Sequence, residues 1–340
     1  MAYQNVATPR FYVNVLEWLA LNGVSYDLGA EANVFHTLPV TPRGISGATI
    51  DNDDGSNPNN GWALPIDFSF EDKGFIAILG HKIKTDYVTL LLGNTSSMTS
   101  IVNGFRGDSS LYTIPLAYGG NNVHRGYSIS TYNGTPTVFG LGDEGTWQDS
   151  AYDWYVGSVV IGTYYDMKNA PNLSLTMSRE YGGTKEMTSY NGSSFSNTFW
   201  TKNPNWDNKG AWELGTGSRE LTKSGRRVWQ LSFSYMDGSD LFGSNQALES
   251  HVWGNQSGNA DSGDLSDVNE FNYTLLTDDN FFSQVWHKSA GGTIPMIFQA
   301  DNTNNSTDQF AIVRIRDKSL KATRVAPNTY DISLTLEEVW

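Results

Sequence analysis

Apolar and polar residues alternate from 329 to 337, and this period of two constrains the fold more than any other feature of the sequence. Successive side chains of a β-strand point to opposite faces, so the pattern predicts a strand with one buried and one solvated face. The residues of the apolar face are Tyr330, Ile332, Leu334 and Leu336, and those of the polar face are Asp331, Ser333, Thr335 and Glu337. Only Glu338 departs from the alternation.

A second alternating segment runs from 227 to 236. One face would carry Trp229, Leu231, Phe233 and Tyr235, and the other Val228, Gln230, Ser232, Ser234 and Met236. Aromatic residues at alternating strand positions are typical of a core. The sequence therefore predicts that Trp229, Phe233 and Tyr235 are buried. Further strands are predicted near 62–70, 75–80, 87–92, 111–117, 136–139, 157–162 and 173–178.

Composition favours an all-β protein with little helix. The 34 glycines indicate many turns, and the 39% of hydrophobic residues provide a large core. Helix is expected only where the segment from Phe11 to Gly23 passes from a strand into a short helix that Asn22 and Gly23 end.

A chain of 340 residues exceeds the usual size of one domain, so two domains are expected, with one large β domain as the alternative. The predicted boundary between the two domains lies in the turn-rich stretch from 140 to 150. The prediction is two antiparallel β-sandwich domains of jelly-roll type, residues 1–150 and 151–340.

Charge and cysteine content restrict the partners. The formal charge of −14 disfavours a surface for nucleic acid, and the absence of cysteine removes disulfides and thiol chemistry. Neither a secretory signal nor an apolar run of membrane-spanning length is recognised, so synthesis in a cytoplasm without membrane insertion is expected.

No motif identifies a catalytic, cofactor or metal site. The acidic loop 51–61 resembles a calcium loop in composition, but Gly55 stands at the fifth position and no glutamate closes the loop, so a solvated turn is the better interpretation. The loop 254–267 is interpreted in the same way. Paired carboxylates of a glycosidase stay open as an alternative, since their separation is spatial.

Four residues are candidates for an assembly interface. Trp200 and Trp206 lie in or beside the polar stretch 201–209, where recognition or contact with another subunit is expected. Val339 and Trp340 follow the alternating strand, and Trp340 is predicted to be buried either in the sheet or under an adjacent subunit.

Three segments together resemble the virion structural proteins of tailed phages, particularly those of marine and cyanobacterial hosts. They are Gly74 to Ile83, Tyr164 to Met177, and the block from Phe282 to Trp340, within which Gly291 to Asp301 and Asp308 to Arg314 are the most recognisable. The resemblance implies a β-rich structural component of the virion and transfers no catalytic residue.

The expected function is therefore that of a non-enzymatic phage protein of the tail or baseplate. It would assemble into a symmetric oligomer in the virion, with copies of itself and other virion proteins as partners. The alternatives are a carbohydrate- or receptor-binding tail adhesin with a host-surface glycan as ligand, a capsid-surface decoration protein, and a polysaccharide-degrading enzyme.

Overall fold

The computed structural model consists mostly of antiparallel β-sheet, as the alternation predicts. The residues that it describes are 6–22, 37, 43–45, 49–50, 59–65, 73–81, 89–93, 101–102, 113–117, 126–132, 138–142, 154–156, 158–180, 184–198, 226–242, 279–304 and 309–339.

The strands fall into one large sheet and three small ones. Their bounds are β1 Arg10–Asn14, β2 Arg43–Ile45, β3 Thr49–Ile50, β4 Asn59–Pro65, β5 Gly74–His81, β6 Thr89–Gly93, β7 Ile101–Val102, β8 Thr113–Ala117, β9 Gly126–Tyr132, β10 Val138–Gly142, β11 Trp154–Val156, β12 Ser158–Asp166, β13 Thr176–Glu180, β14 Thr184–Thr188, β15 Ser194–Thr198, β16 Arg226–Asp237, β17 Met296–Gln299, β18 Phe310–Ile315, β19 Ala322–Ala326 and β20 Thr329–Glu338.

The large sheet is open and has 11 strands. Their order is β13, β16, β20, β18, β17, β1, β12, β5, β9 and β8, and β19 also pairs with β20. The small sheets are β3, β4, β10, β6 and β7; β11 and β2; and β14 and β15. Strands from both sides of residue 150 therefore share one sheet, while the predicted domain boundary at that residue stays a prediction.

Both faces of the large sheet are covered at β1. Phe11 and Val13 belong to a core cluster that includes Trp229, whereas Tyr12 points to the opposite cluster around Phe75. All of these side chains are buried. Strand β1 thus lies in the interior of the fold, paired with β12 on one side and β17 on the other.

The helix predicted after the first strand is confirmed as α1, Val15–Leu21. The Asn14 side chain accepts a hydrogen bond from the Glu17 amide at its start, and Asn22 caps its end. Two further helical elements were not expected, α2 Gly238–Leu241 and a π-helix over Phe282–His287. Each spans two turns or less, too short for a helical period to show in the sequence.

The predicted strand at 329–337 is confirmed as β20, with its even-numbered residues buried. Glu338 occupies the next even-numbered position and is also buried. The residue that departs from the apolar pattern is thus on the inward face, where a charged group needs a partner.

The prediction for Tyr235 was wrong. Trp229 and Phe233 are fully buried, but Tyr235 is 76% exposed. A β-bulge between Phe233 and Met236 adds a residue to β16, so that Met236 points inward in its place. The simple period of two holds only as far as the bulge.

Candidate interaction site

Strands β14 and β15 form a hairpin that pairs with no other strand in the described part of the chain. We call residues 184–198 the hairpin arm. An isolated two-stranded hairpin is only marginally stable in water, because it lacks a second layer on which to bury a face. Packing against another surface would therefore stabilise the hairpin arm.

Three large hydrophobic side chains of the hairpin arm are exposed to solvent. Met187 and Phe195 are directly opposite each other in the strand register and are 60% and 63% exposed. Tyr190 stands in the connecting turn and is fully exposed. Exposed apolar and aromatic side chains that cluster on one element are typical of interaction surfaces.

The turn of the hairpin arm is well defined by hydrogen bonds. The Ser189 amide donates to the Ser193 carbonyl at 2.8 Å, and the Gly192 amide donates to the Ser189 carbonyl at 2.9 Å. Ser189 also donates through its hydroxyl to the Asn191 side chain. Gly192 has φ +82°, a conformation that glycine adopts without steric cost. These hydrogen bonds define the backbone of the turn that carries Tyr190 at the tip.

A further exposed aromatic residue lies on the outer face of the large sheet. Tyr235, at the bulge of β16, has φ 59°, and its amide donates to the Asp331 side chain at 3.0 Å. Nearby on the same strand, Ser234 accepts a hydrogen bond from the Asn172 side chain at 2.9 Å. This face combines one aromatic ring with uncharged polar groups and one carboxylate.

The ion pair of Arg227 and Glu338 is the most buried of those in the described residues. Two guanidinium nitrogens of Arg227 donate to the carboxylate at 2.7 and 3.1 Å, and its backbone amide donates at 2.9 Å. The guanidinium also donates to the Phe310 carbonyl and lies over the Trp229 ring. These contacts compensate both charges inside the sheet.

A second ion pair ties β1 to β12. Arg10 donates to both oxygens of Asp166, at 2.6 and 2.9 Å, and its guanidinium lies over the Tyr164 ring. Burial lowers the pKa of Arg10, but the hydrogen bonds and charges of Asp166 and Tyr12 outweigh it and the net shift is upward. Burial raises the pKa of Tyr12 to about 12, so its hydroxyl stays protonated and donates to Gln299.

A buried lysine follows the π-helix directly. The ammonium group of Lys288 donates to Gln284 at 2.7 Å and to Thr163 at 3.3 Å. The neighbouring His287 contacts the rings of Trp18 and Phe282. Burial, followed by the charge of Lys288, lowers the pKa of His287. These contacts attach α1 and β12 to the π-helix.

Two aspartates share a lysine at the surface. Lys168 lies 3.9 Å from both Asp240 and Asp279, and Asp279 is also 2.6 Å from Lys73. Burial raises the pKa of Asp240, against the opposing effect of Lys168. Each carboxylate therefore has an ammonium partner, which is the geometry of a surface ion-pair network and contributes little to stability.

The described residues contain no group of three or more histidine, aspartate or glutamate side chains placed to hold a metal ion. Among the helices in these same ranges, none has the length and apolar character required to cross a membrane. The loop 254–267 and most of the acidic loop 51–61 lie outside the described residues.

Of the four predicted interface residues, Val339 is within the described part of the chain. Its amide donates to the Ile312 carbonyl at 2.9 Å, and its side chain is half-buried against the cluster around Tyr12. Trp200, Trp206 and Trp340 lie outside the described residues. Sequence reasoning missed the hairpin arm, whose signal is the pair of strand-length segments around Asn191 and Gly192.

Comparisons of the chain with protein-family models, with curated proteins and with solved structures found no match.

Proposed function

We propose that the chain is a non-enzymatic structural protein of a tailed-phage virion, a component of the tail or baseplate that assembles into a symmetric homo-oligomer. The observation that carries this proposal is the hairpin arm, a two-stranded element that pairs with no other strand of the described residues and has Met187, Tyr190 and Phe195 exposed. The sequence resemblance to phage virion proteins supports the virion as the location of this oligomer.

The hairpin arm suits a contact between copies of the chain. Tyrosine, phenylalanine and methionine are enriched in the centres of protein interfaces, where large side chains are fully desolvated. Burial of the arm on a neighbouring subunit would remove Met187 and Phe195 from water and stabilise the hairpin. The partners in this proposal are copies of the chain and other virion proteins, and the location is the virion.

The finer architecture is part of the same proposal. We infer two jelly-roll sandwich units, residues 1–150 and 151–340, which share the large sheet because β1 and β5 pair with β12. Limited proteolysis tests this division. Cleavage between 140 and 150 should give two fragments that stay associated, and fragments that separate under native conditions would contradict a shared sheet.

Light scattering of the purified protein, followed by negative-stain imaging of the same sample, tests the assembly. We expect a defined oligomer, and a triple variant Met187→Ser, Tyr190→Ser, Phe195→Ser should shift the mass to that of a monomer. Mass spectrometry of purified particles of the encoding phage tests the location, and absence of the protein from them would refute it.

The matched control is Leu21→Ser, which removes a similarly exposed apolar side chain at the end of α1. This variant should assemble like the wild type. A monomer at every concentration, or a triple variant that assembles normally while its circular dichroism is unchanged, would overturn the proposed role of the hairpin arm.

A further inference from the structure

The bulge in β16 holds an aromatic residue in a strained conformation. Tyr235 has φ 59° and is 76% exposed. A left-handed backbone is unfavourable for a residue with a Cβ, and more so for a bulky one. Strain of this kind persists where the surrounding structure imposes it, and it concentrates at functional sites.

Core packing does not explain why the ring points outward. Phe233 and Met236 flank the bulge and are both fully buried, so the inward positions of the strand are filled without Tyr235. The extra residue of the bulge brings Ser234 and Tyr235 together on the outer side. The Asp331 side chain accepts the Tyr235 amide proton, which would otherwise lack a ladder partner.

Hydroxyl and amide groups lie near Tyr235 in the strand order, on the outer face of β16 and β20. Asn172 donates to the Ser234 hydroxyl at 2.9 Å, and Ser232 and Ser333 share a hydrogen bond of 3.1 Å across the two strands. These groups both donate and accept hydrogen bonds, as sugar hydroxyls do. The apolar face of a sugar ring stacks on an aromatic ring, which supplies contact area at little entropic cost.

We propose that this surface, formed by Tyr235, Ser234, Asn172 and Asp331, binds a neutral carbohydrate. Tyr235 stacks on one sugar ring, while the amide and the carboxylate hydrogen-bond its hydroxyls. The formal charge of −14 disfavours acidic glycans. The site goes beyond the assembly function and does not involve the hairpin arm.

The surface is open, so each site should bind weakly, with a dissociation constant on the order of 1 mM. An oligomer would present several such sites and bind a polymeric glycan more tightly through avidity.

Saturation-transfer NMR with maltohexaose, cellohexaose, chitohexaose and mannohexaose, together with a glycan array, tests the proposal. We expect the full chain to bind at least one neutral glycan. Tyr235→Ala should weaken this binding by about tenfold, the loss expected for one stacking contact. Tyr235→Phe keeps the ring and should bind like the wild type, as should Leu21→Ala.

Asn172→Ala provides a second variant that leaves the backbone of the bulge unchanged, and it should also weaken binding. The proposal is overturned if the wild type binds no neutral glycan, or if both Tyr235→Ala and Asn172→Ala bind as tightly as the wild type. It is equally overturned if Tyr235→Ala lowers the mass of the oligomer instead, because the ring then serves a contact between copies. None of these outcomes depends on the variants of the hairpin arm.

Discussion

Glu338 and Arg227 form a two-pronged ion pair inside the large sheet, with side chains that are 4% and 10% exposed. The pair joins β16 to β20, and through the Phe310 carbonyl it also reaches β18. Its position at one end of β20 fixes the register of three neighbouring strands, because a slip by one residue would bury one charge without the other.

Removing one member of this pair should be costly. We expect Glu338→Gln to lower the free energy of unfolding by about 3–5 kcal/mol, since Arg227 would stay buried without a counter-charge. Urea denaturation measures the difference. The double variant Arg227→Met, Glu338→Leu should recover most of the loss, and a double variant as unstable as the sum of the two single variants would contradict this account.

Gly162 should tolerate no side chain. A Cβ at this position would overlap the carbonyl oxygen of Val13 and lie 2.8 Å from the Val15 nitrogen. Both are backbone atoms of β1 and α1, which cannot move independently, so Gly162→Ala should cost about 3 kcal/mol or more in thermal denaturation. Gly192→Ala is the comparison, because its surroundings are open and only its positive φ is penalised, by about 1–2 kcal/mol locally.

The positive φ of Tyr235 should lower the thermal stability of the folded protein by a measurable amount. Tyr235→Gly is expected to unfold at a higher temperature than Tyr235→Ala, because glycine adopts a positive φ at about 1 kcal/mol less cost. Calorimetry of the two variants makes the comparison, and both lack the ring, so lost contacts cancel. Equal melting temperatures would show that the backbone of the bulge is unstrained or rearranges.

Stability should fall in mild acid because of His287. Its pKa in the folded protein is below the ordinary value of 6.5, chiefly through burial and secondly through Lys288, so the unfolded chain takes up a proton more readily. The stability that neutral His287 contributes is thus fully present above pH 6.5, and it is lost as the pH falls toward the lower pKa of the folded state.

Denaturation of His287→Phe at several pH values tests this linkage. The variant keeps an aromatic ring in contact with Trp18 and Phe282 and should lose the part of the pH dependence that lies just below 6.5. If its stability follows the same pH profile as the wild type, another group is responsible.

The alternation of residues predicts the strands because burial on one face repeats with the pleat. It succeeds for β20 and for β16 as far as Phe233, where each inward position is filled by one side chain. It fails at Tyr235, since a bulge adds a residue without a mark in the hydrophobic pattern. The alternation also does not explain why Glu338 is buried, because its partner Arg227 is 111 residues away in the chain.

The candidate site was harder to predict than the sheet. Exposed residues such as Met187 and Phe195 resemble core residues in a sequence. What distinguishes them is their placement on a hairpin that pairs with no other strand that the structure describes. The predicted interface roles of Val339, Trp340, Trp200 and Trp206 all stay predictions.

The central position of β1 has a consequence for folding. Tyr12 donates to Gln299, which is 287 residues further along the chain, and β1 pairs with β17 beside this contact. During synthesis β1 cannot pair with β17 until the chain between them, 287 residues from Tyr12 to Gln299, has left the ribosome. Sheets built from such distant segments form slowly, because loop closure precedes any gain from pairing. We expect refolding to take seconds or longer. We also expect β1 to need protection from other contacts until β17 is available for pairing.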